Sequence, residues 1–124
     1  MRCPKCGAQL ATVMYSGIYV ERCVECKGLW FDLLEHDQMA AIEGSAAIDI
    51  GSDELGKRFN EIDDILCPHC SCSMVKMVDA HQPHVWYESC PSCFGVFFDA
   101  GEFRDYREKT VIDFFRDLFT KERR

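Results

Sequence analysis

Eight of the nine cysteines fall into four C-x-x-C pairs with the spacing of metal ligands. Sixteen residues separate the first pair from the second, and nineteen separate the third from the fourth. Each tight turn can supply two thiolates, and the stretch between two turns is long enough for a hairpin that returns to the same ion. The spacing therefore predicts two four-cysteine metal sites. Their ligands are Cys3, Cys6, Cys23 and Cys26 in the first site, and Cys67, Cys70, Cys90 and Cys93 in the second.

Zinc is the metal that this pattern favours, because closed four-sulfur sites are characteristically structural zinc sites. We expect two Zn²⁺ ions per chain. Spacing alone does not separate zinc from iron, so a rubredoxin-like iron electron carrier, or a thiol-based redox or metal-responsive protein, stays open as the alternative. Four cysteine ligands leave no coordination position for water, and no nucleophile–base pair stands out, so we do not expect an enzyme.

The ninth cysteine, Cys72, belongs to none of the four pairs. We predict an ordinary reduced thiol at this position, because a reactive cysteine needs a lowered pKa and no sequence pattern here indicates one. The alternative is that Cys72 substitutes as a ligand when Cys70 is displaced. The sequence leaves the role of this residue open.

The cysteine pattern also bears on the compartment. An odd number of cysteines in metal-site spacing argues against a disulfide scaffold. The chain runs directly into Cys3 without a stretch that looks like a targeting segment. A reducing cytoplasm is therefore predicted. No apolar run approaches the roughly 20 residues of a transmembrane helix, so we expect no membrane association.

The chain contains an internal repeat that extends past the cysteines. Residues 26–35 align with residues 93–102, and both segments continue from the cysteine through a glycine and an apolar triplet to Asp-x-x-Glu. Such a repeat indicates two tandem small modules. Each has about 40 residues, near the size at which a core alone stops sufficing and a metal supplies folding energy. We predict a first module at 1–43, a partly helical connection at 44–65, and a second module at 66–124.

The fold class expected from this repeat is small, metal-stabilised α+β, with two tandem zinc ribbons. Each ribbon is a β-hairpin between two cysteine turns, followed by an α-helix. The predicted strands are 10–15 and 18–22 in the first hairpin and 73–79 and 84–89 in the second, with 80–83 as a loop.

Both Asp-x-x-Glu segments are interpreted as capping boxes rather than as catalytic carboxylates. Asp32 with Glu35 should begin a helix at 33–43 that Gly44 ends, and Asp99 with Glu102 should begin one at 100–121. A short helix is also predicted near 53–64, where apolar residues keep a helical period.

Two groups of aromatic side chains must pack against some other surface. Trp30, Phe31, Phe97 and Phe98 are expected to cover the metal sites and to pack the helix of each ribbon onto its hairpin, with an exposed platform for single-stranded nucleic acid as the alternative. The last helix carries an aromatic stripe from Phe103 to Phe119. Packing within the chain is the simplest use of that stripe, and a homodimer or a partner-binding face is the alternative.

The charge indicates which partners to expect. The formal net charge is −7 and the isoelectric point is about 5.0, and thiolates on metal ions would make the chain more acidic still. An acidic surface repels phosphate, so generic nucleic-acid binding is disfavoured. The prediction is a non-enzymatic interaction module with a protein partner.

The combination of Cys-Pro-x-Cys with Cys-x-x-Cys-x-Gly, an apolar triplet and Asp-x-x-Glu resembles the transcription factor zinc-finger family, the zinc ribbon of general transcription factor IIB. The resemblance covers residues 2–39 and again 66–106. It implies zinc at all eight paired cysteines and a transcription-related role. The second copy departs from the family pattern in two ways: Ser71 stands where the first copy has Gly7, and its hairpin is longer.

Overall fold

The structure, a computed structural model, describes residues 1–62, 64–79 and 82–107. Short strands dominate this part of the chain. The strands are β1 Leu10–Tyr15, β2 Ile18–Cys23, β3 Leu29–Phe31, β4 Val75–Asp79, β5 Gln82–Ser89 and β6 Val96–Phe98. The helices are α1 Glu35–Ala40, a 3-10 helix Ser45–Ile48, α2 Asp53–Asn60, and a helical segment at 102–107.

All six strands form one antiparallel sheet in the order β1-β2-β3-β6-β5-β4. The predicted hairpins are β1–β2 and β4–β5, and each gains a third strand from the apolar triplet of its own repeat. Trp30 on β3 lies opposite Phe97 on β6, and the two residues occupy the same position of the repeat. The two zinc ribbons are therefore joined through equivalent strands, with an approximate two-fold relation between them.

A glycine from each repeat makes room for the aromatic residue of the other. A Cβ atom placed on Gly28 would overlap the ring of Phe97, and one placed on Gly95 would overlap the ring of Trp30. Both aromatic side chains are almost completely buried. The glycine in Cys-x-x-Cys-x-Gly is thus required by the contact between the repeats.

This contact predicts the effect of a single methyl group. Gly28→Ala should lower the free energy of unfolding by about 1–3 kcal/mol, because the Phe97 ring fills the space that the new Cβ would take. In Gly28→Ala/Phe97→Leu the smaller side chain should relieve the overlap, so the double variant should be more stable than the sum of the single effects. Chemical denaturation of the four zinc-loaded proteins measures the coupling. Strict additivity would show that the two positions do not touch.

The sheet buries a different cluster on each face. We call the first the sulfur-side cluster, because it holds the cysteines of both ribbons. Its buried members are Cys3, Leu10, Cys23, Cys26, Trp30, Ile65, Cys67, Met74, Cys90 and Phe97. The helix-side cluster consists of Val20, Leu29, Phe31, Met39, Ala40, Ile48, Val85, Val96, Phe98 and Phe103.

The strand boundaries differ from the prediction at three ends. β2 continues through Cys23, and β4 begins at Val75 rather than at residue 73. β5 begins at Gln82, so Gln82 and Pro83 belong to a strand and not to the predicted loop. Proline is compatible with a strand near its first residue, where a ladder hydrogen bond from its nitrogen is not needed.

The first helix is shorter than predicted, and its predicted capping box is only half formed. Leu34, in the left-handed region with φ 63°, directly precedes α1. The backbone N–H of Asp32 donates to Glu35 (3.1 Å), but the Asp32 carboxylate accepts from the Trp30 indole instead of capping the helix. Gly44 was predicted to end this helix; it precedes the 3-10 helix instead.

The helix in the connection is confirmed at its start, and it ends earlier than predicted. Ser52 Oγ accepts from the backbone N–H of Leu55 (3.1 Å) and caps α2 at Asp53, while the helix ends at Asn60. The connection packs directly on the second ribbon, since a Cβ on Gly56 would overlap the backbone carbonyl of Ala100.

The predicted N-cap at Asp99 is wrong, because a different aspartate supplies the cap. Buried Asp49, from the connection, accepts from the backbone N–H groups of Gly101 (2.9 Å) and Arg104 (3.0 Å). The helical segment 102–107 is therefore capped by a residue 52 positions before Gly101 and 55 before Arg104, which leaves Asp99 free for another contact.

The first part of the aromatic stripe lies within the described residues, and it packs inside the protein. Phe103 is fully buried in the helix-side cluster, and Tyr106 packs against that cluster. This confirms packing within the chain for the first part of the stripe. The rest of the predicted helix lies outside the described residues. Among the helices that the structure does describe, none is long and apolar enough to cross a membrane.

Candidate metal centres

The first centre brings together the four sulfurs that the sequence predicted. All four Sγ atoms of Cys3, Cys6, Cys23 and Cys26 lie within 4.8 Å of one another. Cys3 Sγ is 3.6 Å from Cys26 Sγ, and Cys6 Sγ is 3.3 Å from Cys23 Sγ. Four thiolates at about 2.3 Å from a tetrahedral zinc ion lie about 3.8 Å apart. The sulfurs are therefore close to the arrangement that one such ion requires.

Backbone N–H groups point at the sulfurs and hold each turn in shape. Cys23 Sγ accepts from the backbone N–H groups of Glu25 and Cys26, both at 3.4 Å. In the other turn the backbone N–H of Gly7 donates to the carbonyl of Cys3 (3.0 Å). Donors directed at a sulfur favour its charged form, so this network prepares the site for a cation.

The second centre repeats this geometry with greater exposure. Its four Sγ atoms also lie within 4.8 Å of one another, with Cys67 and Cys93 sulfurs 3.7 Å apart. The backbone N–H groups of His69 and Cys70 donate to Cys67 Sγ, and those of Ser92 and Cys93 donate to Cys90 Sγ. Cys70 is exposed, whereas every cysteine of the first centre is buried or half-buried.

In each centre, neighbouring groups lower the pKa of one cysteine. A hydrogen bond from the Cys26 thiol lowers the pKa of Cys3 to about 5. Burial acts to raise the pKa of Cys90, but hydrogen bonds from the Cys93 and Ser92 backbone and from the Cys72 thiol outweigh it and lower the pKa to about 6. In each centre, hydrogen bonds from the surroundings therefore favour the thiolate form of one sulfur, which is the form that binds a metal cation.

Cys72 lies against the second centre. Its Sγ is 3.3 Å from Cys90 Sγ, and its carbonyl accepts from the backbone N–H of Cys67 (2.9 Å). Ala8 occupies the equivalent position of the first centre and makes the same backbone contact with Cys3 (2.8 Å). The second centre thus has a fifth sulfur beside one of its four, Cys90, where the first centre has an alanine.

A buried ion cluster links the first centre to the second ribbon. Lys5 Nζ, between the cysteines of the first turn, lies 2.7 Å from Asp99 Oδ2 and 2.8 Å from Glu88 Oε1, and it also donates to the carbonyl of Phe59 (3.0 Å). All three charged side chains are almost completely buried. Burial alone would lower the pKa of Lys5, but the two carboxylates raise it. Burial raises the pKa of Glu88 to about 6 and that of Asp99 above its usual range.

The equivalent pair of the other repeat lies at the surface. His69, between the cysteines of the third turn, has Nε2 3.4 Å from Asp32 Oδ1, and both side chains are about half exposed. In each repeat, the residue between the turn cysteines thus reaches the aspartate of the other repeat. Sequence reasoning treated Asp32 and Asp99 as helix caps, because the contacts that occupy them come from distant parts of the chain.

The four aromatic residues expected to cover the metal sites divide between the two faces. Trp30 and Phe97 pack in the sulfur-side cluster, which confirms the prediction for these two residues. Phe31 and Phe98 lie in the helix-side cluster with Met39 of α1, so they pack helices onto the sheet, as was also predicted, and do not cover the metal sites. All four side chains are at most 1% exposed. They offer no stacking platform for nucleic acid.

The comparisons with known proteins agree with this geometry. The model of the family described as transcription factor zinc-finger matches residues 2–42, and the second four-cysteine cluster, at 67–93, fits a second copy of it. No curated protein and no solved structure matches the chain. The two clusters suit two metal ions, and the matched family, together with an all-thiolate donor set, indicates zinc.

Proposed function

We propose that this metal-binding protein is a non-enzymatic adaptor that uses two structural zinc ions to hold a sheet surface to which another protein binds. In this proposal the protein works in a reducing compartment, the cytoplasm, where its cysteines are not oxidised to disulfides and can bind metal. The metal has a structural role in this proposal, because four thiolates close each centre and leave no position for a reacting water.

The observation that carries the proposal is an exposed apolar pair that occurs once in each ribbon. Met14 on β1 lies opposite Tyr19 on β2, and Val78 on β4 lies opposite Trp86 on β5. The two pairs occupy equivalent positions of the repeat, and all four side chains are exposed. We call these two pairs the hairpin pairs. Tyrosine and tryptophan are the residues most often found at the energetic centre of protein interfaces.

The strand register places both hairpin pairs on the sulfur side of the sheet. Tyr19 is two residues from Glu21, which lies opposite Trp30, and Trp86 is two residues from Glu88, which lies opposite Phe97. Successive side chains alternate between the faces of a sheet, so residues two apart share a face. One partner surface can therefore meet both ribbons.

Charge supports a particular kind of partner. The chain carries a net charge of −7, which favours a basic protein surface and opposes a phosphate backbone. A component of the transcription apparatus is the partner class that the matched family suggests, and the proposal takes it as the first one to test.

Site-specific photocrosslinking in cells tests this proposal. A benzophenone amino acid is placed at Tyr19 and at Trp86, with Leu33 as the control because it is also exposed but lies outside the sheet. We expect the same protein adduct from positions 19 and 86 and not from position 33. With the identified partner purified, Tyr19→Ala should weaken binding about tenfold or more by calorimetry, as for a central interface residue.

Three results would count against the adaptor function. Equal labelling from all three positions would mean that the surface is not selective. Adducts only with a second copy of the chain would indicate a homodimer, and adducts only with DNA or RNA would indicate nucleic-acid binding despite the acidic charge.

A further inference from the structure

We propose that Cys72 is an exchangeable ligand of the second metal centre, so that Cys67, Cys90 and Cys93 hold the ion together with either Cys70 or Cys72. This inference rests on the proposed metal binding, and it adds a ligand to the second centre alone. One of the four ligands in the second centre can therefore exchange, whereas the first centre has a single fixed set of four ligands.

Distance is the first support. Cys72 Sγ lies 3.3 Å from Cys90 Sγ, which equals the 3.3 Å between Cys6 and Cys23 in the first centre. Cys6 is equivalent to Cys70, and Cys23 is equivalent to Cys90. Cys72 therefore makes with Cys90 the contact that the ligand Cys6 makes with its own partner.

Backbone placement is the second support. Cys72 is fixed beside the metal ligand Cys67 by the hydrogen bond from the Cys67 N–H to its carbonyl, and the adjacent Ser73 pairs with Leu66 in a β-bridge. Its side chain packs against the sulfur-side cluster. The backbone therefore holds this thiol in contact with a sulfur of the centre.

Exposure is the third support, because it identifies the ligand that leaves. Cys70 is the only exposed cysteine among the nine, all of which lie in the described part of the chain. A solvent-facing thiolate can dissociate without opening the core, whereas Cys67 and Cys90 are buried. The first centre lacks both features, since Cys6 is half-buried and Ala8 stands in place of the fifth sulfur.

Matched serine variants of the two centres test the inference. In Cys70→Ser the second centre should keep its zinc, with an affinity reduced by about tenfold or less, because Cys72 restores four thiolates. In Cys6→Ser, which has no fifth sulfur, and in Cys70→Ser/Cys72→Ser, the affected centre should lose zinc. Cys6→Ser/Ala8→Cys should recover it. Native mass spectrometry counts the ions, and the charge-transfer bands of the Co²⁺-loaded proteins report the number of thiolate ligands.

The results separate this inference from the metal binding on which it rests. Wild-type protein without metal would overturn both. Two ions in the wild type, with Cys70→Ser losing its second ion as completely as the double variant, would overturn the exchange alone.

Alkylation of the zinc-loaded wild type gives a second test that needs no substitution. An exchangeable position predicts slow labelling of both Cys70 and Cys72 by iodoacetamide, with one modification per chain. Peptide mapping distinguishes the two sites. Labelling confined to Cys72 at long times would contradict the exchange.

Discussion

Removal of the metal with a strong chelator is expected to unfold both ribbons together in one transition. Ligand residues of the two centres share the sulfur-side cluster with Trp30 and Phe97, so neither ribbon has a core of its own on that face. Structural zinc contributes about 10–16 kcal/mol in zinc-finger peptides, which is as large as the whole stability of a typical domain, about 5–15 kcal/mol. Circular dichroism and tryptophan fluorescence during chelation and zinc return measure the transition.

A ligand substitution tests whether the ribbons depend on each other. Cys26→Ser should remove the first ion and also expose the backbone amides of β6 to hydrogen exchange, because β6 pairs with β3 of the damaged ribbon. Val24→Ser is the matched control, since it changes an exposed residue of the same turn that is not a ligand. Native protection of β5 and β6 in Cys26→Ser would show that the second ribbon folds alone.

Lys5→Met is expected to lower the free energy of unfolding by about 3–5 kcal/mol, the range measured when one partner of a buried ion pair is removed. The substitution keeps most of the apolar stem of the side chain, removes its ammonium group, and leaves Glu88 and Asp99 buried without their cation. Because an unpaired buried carboxylate is most costly when charged, the loss should grow as the pH rises above about 6, the pKa of Glu88. Denaturant unfolding of zinc-loaded protein between pH 6 and 8 measures both effects.

The repeat supplies the control for this variant. His69→Ala changes the equivalent residue of the other ribbon, where the pair with Asp32 is about half exposed, so the expected loss is below about 1 kcal/mol. Lys5→Met/Glu88→Gln/Asp99→Asn removes all three charges and should recover part of the stability. Equal losses from Lys5→Met and His69→Ala would mean that the buried ion cluster contributes no more than a surface pair.

Features with a local cause were predictable from the sequence. The tight turn of a C-x-x-C pair is fixed by neighbouring residues, so the sequence predicted the sulfurs that the structure brings together. The β1–β2 hairpin, with Gly17 at its turn (φ 82°), follows from local chemistry in the same way. The capping of α2 by Ser52 is also local.

Features that depend on distant contacts were not predictable. Asp-x-x-Glu is a capping pattern, but Asp99 is held by Lys5 and the helix cap comes from Asp49. The apolar triplets were expected both to cover the metal sites and to pack a helix onto each hairpin, but the sequence did not assign the two roles to particular residues. The pairing of β3 with β6 assigns them, with Trp30 and Phe97 on one face and Phe31 and Phe98 on the other. A single repeat gives no indication that its triplet pairs with the triplet of the other.

Metal content per chain, measured by native mass spectrometry together with an absorption spectrum on protein purified without added metal, tests the central claim most directly. Two zinc ions per chain and no visible absorbance are the predicted result. Iron with visible charge-transfer bands would contradict it and make electron transfer the leading function, and folded protein without any metal would contradict the structural role of both centres.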